Sequence, residues 1–200
     1  MKKSNYFLNF IKSYHNIFLK VLFFEIVYSI KFKELFPKIK VQNNSKRTDT
    51  VPCVYYFLHQ ISKFLKKKRI KSIVDIGSGF GRVVNFVSTQ NGIKSHGIEY
   101  DKEVFQIANQ IKKNNVFLYC GDVFKFNIRS FNSKCFILVD PFKKVSDRNK
   151  FLYKIKNIYS GQKKYIIAVN NFKGRFPKNF REIYSIIGSK TRSLKIFETI

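Results

Sequence analysis

The residues with the clearest chemical capacity form the run Val74-Asp75-Ile76-Gly77-Ser78-Gly79-Phe80-Gly81-Arg82. An acid stands two places ahead of three alternating glycines, with an apolar run before it and a helical pattern after Arg82. This reads as a strand end, a sharp turn and a helix start. Glycines at such a point let the backbone turn tightly and approach a ligand, and the helix amino terminus offers free N–H groups. The spacing narrows the choice of ligand. G-x-G-x-G differs from the dinucleotide fingerprint G-x-G-x-x-G, and no G-K-S/T follows as a P-loop requires. The turn is therefore expected to hold something other than a pyrophosphate, the alternative being a turn that holds nothing.

A ligand turn of this kind works only where strands end together. Strands are expected near 71–76, 94–99, 115–119, 134–140 and 164–170, with helices near 80–90, 101–113 and 146–158 between several of them. Such alternation argues for parallel βαβ units in an open α/β sheet, whose ligands bind at the carboxyl ends of the strands. The tail adds REIYSII and SLKIFET, close enough in sequence to pair as an antiparallel edge. A helix is expected over 53–65, with Tyr56, Phe57, Ile61, Phe64 and Leu65 on its apolar side. Further upstream, Phe7, Phe10, Ile11, Tyr14, Ile17, Phe18, Val21 and Leu22 recur at three- and four-residue spacing, which predicts one amphipathic helix over 5–30. Pro37 breaks that pattern, and residues 38–52 read as a polar loop. The expected division is an extension over 1–50 and a ligand-binding domain over 51–200.

At 200 residues the chain is long enough for one domain with a substantial core, and its 44% hydrophobic content separates it from disordered sequences. The 39 Lys+Arg against 12 Asp+Glu give a net charge of +27, a field that favours polyanions. The same excess would also follow from an A+T-rich genome, which enriches Lys, Asn, Ile, Phe and Tyr together. Cys53, Cys120 and Cys135 form no C-x-x-C pair and cannot all be bridged, which fits a reducing, cytoplasmic setting. Cys120 and Cys135 are expected to be small buried hydrophobes. His15, His59 and His96 have no ligand spacing, so no metal site is expected. Lys12, Lys20 and Glu25 interrupt the apolar amino-terminal run, so neither a signal peptide nor a spanning helix is expected there.

The glycine run is one of four landmarks in order. Gly97-Ile98-Glu99-Tyr100-Asp101, Gly121-Asp122-Val123-Phe124 and Ile137-Leu138-Val139-Asp140-Pro141-Phe142 follow it, each at an expected strand end. Over roughly residues 50–200 the chain resembles the class I S-adenosylmethionine-dependent methyltransferases, in particular small bacterial members with a G-S-G-x-G-R loop and a D-P-F fourth motif. The resemblance implies a Rossmann-like, mostly parallel seven-stranded sheet with helices on both faces and an antiparallel carboxy-terminal edge, preceded by a helical extension. It implies S-adenosylmethionine as cofactor, held by Asp75, Gly77, Ser78, Gly79 and Gly81 around its methionine part. Glu99 would accept the ribose hydroxyls and Tyr100 would flank the adenine. Asp122 would accept from the adenine amino group and the Val123 N–H would donate to a ring nitrogen. Each acid also has a structural reading: Glu99 and Asp101 as helix caps, Asp122 as a turn residue.

Asp140, Pro141 and Phe142 are the expected catalytic group. Relatives acting on nucleobase or amide nitrogens carry D-P-P-Y or N-P-P-Y there, and this chain lacks the second proline. Asp140 would orient or deprotonate an acceptor N–H or O–H, or only cap the next helix while Pro141 shapes the loop. Phe80 also departs from the usual small polar residue. The expected function is methyl transfer to an N or O acceptor, with a catalytically inactive, polyanion-binding protein of the same fold as the alternative. Lys143, Lys144, Arg148 and Lys150 follow the fourth motif and make an anionic acceptor, a nucleic acid or acidic glycan, an expectation beside a protein one. The amino-terminal helix is expected to pack on the domain or on its own copy in a dimer, or to lie on an anionic membrane.

Overall fold

The computed structural model describes residues 9, 12–34, 38–40, 49–170 and 174–200. Seven strands form one sheet in the order β3-β2-β1-β4-β5-β7-β6. They are β1 (Ser72–Ile76), β2 (Lys94–Glu99), β3 (Val116–Cys120), β4 (Cys135–Val139), β5 (Tyr165–Val169), β6 (Phe180–Ile187) and β7 (Ser193–Thr199). The first five pair in parallel, and β7 runs antiparallel between β5 and β6. The sheet is thus Rossmann-like with an antiparallel edge, as the alternating pattern and the two tail segments predict.

The helices are α1 (Phe18–Phe32), α2 (Tyr55–Lys67), α3 (Arg82–Asn91), α4 (Lys102–Gln110) and α5 (Val145–Ile158). β5, with the sequence YIIAV, is buried throughout, as an inner strand covered on both faces must be. Side chains alternate along the strands, so Ile73, Cys135 and Ile167 join the core under α2 and α3, while Val74, Phe136 and Ile166 join the core that includes Phe151 and Ile155 of α5. β6, at the edge, is mostly exposed.

The expected helix over 5–30 is interrupted. A 3-10 turn at His15–Ile17 precedes α1. Tyr14 is buried and donates its hydroxyl hydrogen to Asn170 Oδ1 at 2.9 Å, and the Asn16 N–H donates to the Gly188 carbonyl at 3.1 Å. These ties to the far end of the chain take a backbone donor that a continuous helix would have used. Phe7, Phe10, Ile11 and Pro37 lie outside the described residues. α4 ends at Gln110, short of the expected 113, and the Lys113 N–H donates to Asn85 Oδ1 instead. All three cysteines are free; Cys53 and Cys135 are buried, but Cys120, at the end of edge strand β3, is exposed, contrary to expectation.

Candidate functional site

The strand order reverses between β1 and β4, and a cleft of about 420 Å³ opens where their carboxyl ends diverge. All four landmark segments reach it. Gly77, Ser78 and Gly79 line it after β1, Glu99, Tyr100 and Asp101 after β2, Gly121, Asp122 and Val123 after β3, and Val139, Pro141 and Phe142 after β4. Gly81 and Asp140 do not line it.

The turn after β1 depends on its glycines. Gly77 and Gly79 have φ of 69° and 54°, the left-handed region. A Cβ on Gly77 would come within 2.8 Å of Pro141 Cβ, and one on Gly79 within 2.8 Å of Thr50 Cγ2. Gly97 in β2 has a related role, since a Cβ there would meet both Leu118 and Ser78 at under 3 Å. The loop is fixed by hydrogen bonds from the Gly77 and Ser78 N–H groups to the Ile98 carbonyl, at 2.8 and 3.1 Å.

Two carboxylates border this turn. Glu99 accepts the Gly79 N–H and the Asp101 N–H, both at 2.8 Å, and the Tyr100 N–H also bonds its carboxylate. Burial pushes its carboxyl up, against the opposing pull of these N–H donors. Asp75 is 0% exposed, and neither of its oxygens has a hydrogen-bond partner; the buried Ser78 hydroxyl is in the same state. Burial and the neighbouring Glu99 charge push the Asp75 carboxyl well above the usual range. Two unpartnered buried polar side chains facing one cleft call for a polar ligand. Asp101 caps α4 through the Glu103 and Val104 N–H groups, and Asp122 accepts from the Phe124 N–H, so both structural readings hold alongside their place in the cleft.

Arg82 ties this turn to the amino-terminal segment. It donates to Glu25 Oε2 at 2.9 Å, Glu34 Oε2 at 3.0 Å and the Cys53 carbonyl at 2.9 Å, and lies 3.8 Å above the Tyr55 ring centroid. Burial works against its charge, but Glu25 and Glu34 outweigh burial and hold it protonated. Glu25 also accepts the Tyr55 N–H at the start of α2. Glu34, Asp49 and Thr50, none of them expected at the site, also line the cleft. The only sequence signal for the pairing was a lone Glu inside an apolar helix.

In the fourth motif, Asp140 has φ 46°, a left-handed conformation directly before a proline. That turn brings Pro141 against Gly77 and Phe142 beside Phe124 and Phe151. Arg148 is buried, donating to Asn149 Oδ1 and the Arg175 carbonyl and packed over Phe176, so it is not presented to an acceptor. Lys150 does reach the cleft.

Charge is sorted across the molecule. Seven of the chain's 12 acidic residues line this cleft: Asp75, Glu99, Asp101 and Asp122 at the strand ends, and Glu34, Asp49 and Asp147 at the rim. Among the described basic residues only Lys38, Arg82 and Lys150 join them. The cleft is an acidic recess in a strongly basic protein. No group of His, Cys, Asp and Glu among the described residues could hold a metal ion.

The family model for the histone methylation protein DOT1 matches residues 52–173, more than half of the chain. No curated protein matches the sequence. Solved structures do. An RNA methyltransferase from Salinibacter ruber, in complex with S-adenosyl-L-homocysteine, is similar at 20% identity, over 74% of this chain and 92% of that one, with a TM-score of 0.54. A protein from Staphylococcus aureus described as a caffeoyl-CoA O-methyltransferase is similar at 16% identity, over 75% and 86%, with a TM-score of 0.57. An O-methyltransferase so described from Klebsiella pneumoniae is similar at 11% identity, over 74% and 81%, with a TM-score of 0.56. At these identities the likeness is one of fold.

Proposed function

The chain belongs to the DOT1 histone-methylation family and is an S-adenosylmethionine-dependent methyltransferase, and from that premise we propose that it methylates an amine nitrogen on a basic protein. The observation that carries the acceptor class is the acidic rim. Asp49 and Asp147, both exposed, line the cleft in a chain of net charge +27, while Glu34 beside them is engaged by Arg82 and the Tyr55 hydroxyl. Such a rim attracts a cationic side chain and disfavours nucleic acid and acidic glycans. The family's description, histone methylation, also names a basic protein as acceptor.

The cofactor, when bound, supplies an electrophilic methyl group on a sulfonium centre. Asp75 and Ser78 are the unpartnered groups suited to its ammonium and polar atoms, and Gly77 and Gly79, at positive φ and packed against Pro141 and Thr50, give the turn the shape its methionine part would meet. Glu99, already holding three backbone N–H groups, keeps acceptor capacity for a ribose hydroxyl, Tyr100 and Val123 flank the adenine, and Asp122 has acceptor capacity for its amino group. An incoming ammonium meets the rim carboxylates first and then the apolar surfaces of Phe80, Phe124 and Phe142. Desolvation there favours the neutral amine, the form with a lone pair to donate. Asp140 acts as a positioning residue, turning Pro141 and Phe142 into the cleft mouth. The cofactor cleft is intact, so the inactive polyanion-binding alternative is not favoured.

The test supplies isotopically labelled S-adenosylmethionine with a lysine-rich protein, RNA and an acidic polysaccharide, and locates the label by mass spectrometry. Label on an amine nitrogen is expected. Asp147→Asn should raise the acceptor KM about two- to fivefold, as for one exposed charge pair, with cofactor Kd unchanged. Label only on RNA or on a hydroxyl oxygen would overturn the reading.

A further inference from the structure

We propose that the outward face of α1 docks on an anionic lipid bilayer. One side of α1 is fixed inward: Val21, Glu25 and Ser29 are buried, and Phe24, Tyr28 and Phe32 pack against Tyr56, Phe86 and Tyr55. With the Glu25–Arg82 pair, these contacts set the rotation of the helix. The opposite side is apolar and open. Leu19 is 76% exposed, Phe23 60%, Ile26 54%, Val27 42% and Ile30 68%. At 3.6 residues per turn these five fall on a stripe roughly 100° wide.

The charges around the stripe identify its occupant. Lys12, Lys20, Lys31 and Lys33 are exposed, whereas Glu25 and Glu34, the acids of this segment, are engaged by Arg82. An apolar stripe bordered by cations complements a membrane interface bearing anionic headgroups. A second copy of the chain fits poorly, because pairing stripe to stripe would bring these lysines together on two chains of net charge +27 each. α1 has 15 residues, and no helix among the described residues is long and apolar enough to cross a membrane, so the helix would lie in the interfacial plane.

The chain contains no tryptophan, so Phe23→Trp gives a single reporter on the stripe. The full-length variant is mixed with vesicles of phosphatidylcholine alone, with vesicles that also contain phosphatidylserine, and with the latter carrying brominated acyl chains. Expected are a blue-shifted emission and bromine quenching with the anionic vesicles only. Adding Ile26→Ser and Ile30→Ser should weaken that binding about tenfold or more, with the melting midpoint retained. If that variant does not fold, the emission and quenching of Phe23→Trp decide alone. Unshifted emission despite vesicle binding would overturn the proposal in favour of electrostatic adsorption elsewhere, and so would absence of binding. A blue shift without lipid that grows with protein concentration would assign the stripe to a second copy.

Discussion

Removing the charge of Glu25 tests whether the amino-terminal helix supports the cofactor turn. Glu25 is 3% exposed, and its two oxygens receive Arg82 at 2.9 Å and the Tyr55 N–H at 2.5 Å. Glu25→Gln keeps an acceptor for Tyr55 but leaves the buried guanidinium with Glu34 as its remaining carboxylate. Breaking a buried pair costs about 3–5 kcal/mol, and the remaining carboxylate places this case near the lower end, at about 3 kcal/mol. For a protein of this size that lowers the melting midpoint by roughly 6–12 °C. Glu25→Ala also strands the Tyr55 N–H, adding about 1–3 kcal/mol. Circular dichroism melts give the stability and calorimetry gives the S-adenosylmethionine Kd, which should rise because Arg82 directly follows the glycine turn. Adding Arg82→Met to the Glu25 variant should cost less than the sum of the single changes, since no lone buried charge remains. A Glu25→Gln protein within about 0.5 kcal/mol of wild type, with unchanged cofactor affinity, would refute the coupling.

In the ligand-free protein, Asp75 holds its proton above the pH at which the unfolded chain releases it, so stability should fall as pH rises above about 4, through the window up to its raised folded value. Asp75→Asn should remove that part of the slope in urea titrations and weaken cofactor binding about 10- to 100-fold. Gly77→Ala, strained by its φ and by Pro141, should cost about 2–4 kcal/mol in chemical denaturation. Asp140→Gly should keep methyl transfer within about twofold, its relief of the left-handed backbone opposed by loss of the Asp140 charge beside buried Arg148, and should be more stable than Asp140→Ala in melts; loss of turnover in the glycine variant would make the carboxylate itself necessary. Tyr14→Phe should cost about 1–2 kcal/mol in melts, because it leaves the buried Asn170 carbonyl oxygen without its donor.

The sheet was legible in the sequence because its signals are local. Each βα alternation is a change of period, and β2 lies over the predicted 94–99 because alternation and the strand-end acid coincide there. The landmark segments meet at one cleft because parallel topology brings strand ends together whatever the side chains are. What escaped was non-local. Nothing near Arg82 indicates that its partners are Glu25 and Glu34, and nothing near Asp147 and Asp49 indicates that both face one opening. The basic run after the fourth motif suggested an anionic acceptor, yet Arg148 turned inward to Asn149 and Phe176. The amphipathic pattern of the first helix located its inner face, but at Tyr14 the fold overrode it for a bond to Asn170.

The tie between the two ends of the chain also orders events during synthesis. Arg192 Nε donates to Ser13 Oγ across a separation of 179 residues, and Asn16 reaches Gly188. At about 5–20 residues per second, the ribosome needs roughly 10–40 s to supply those partners after the first segment emerges. Arg82 follows Glu25 by only 57 residues and is supplied within roughly 3–11 s, whereas Asn170, the partner of Tyr14, comes 156 residues after it and needs roughly 8–31 s. Closing so long a loop is slow, and it cannot precede completion of β7. The contacts of Tyr14, Ser13 and Asn16 are therefore the last of this segment to form, and deletions in the β6–β7 hairpin should leave them unmade while the Glu25–Arg82 pair still forms.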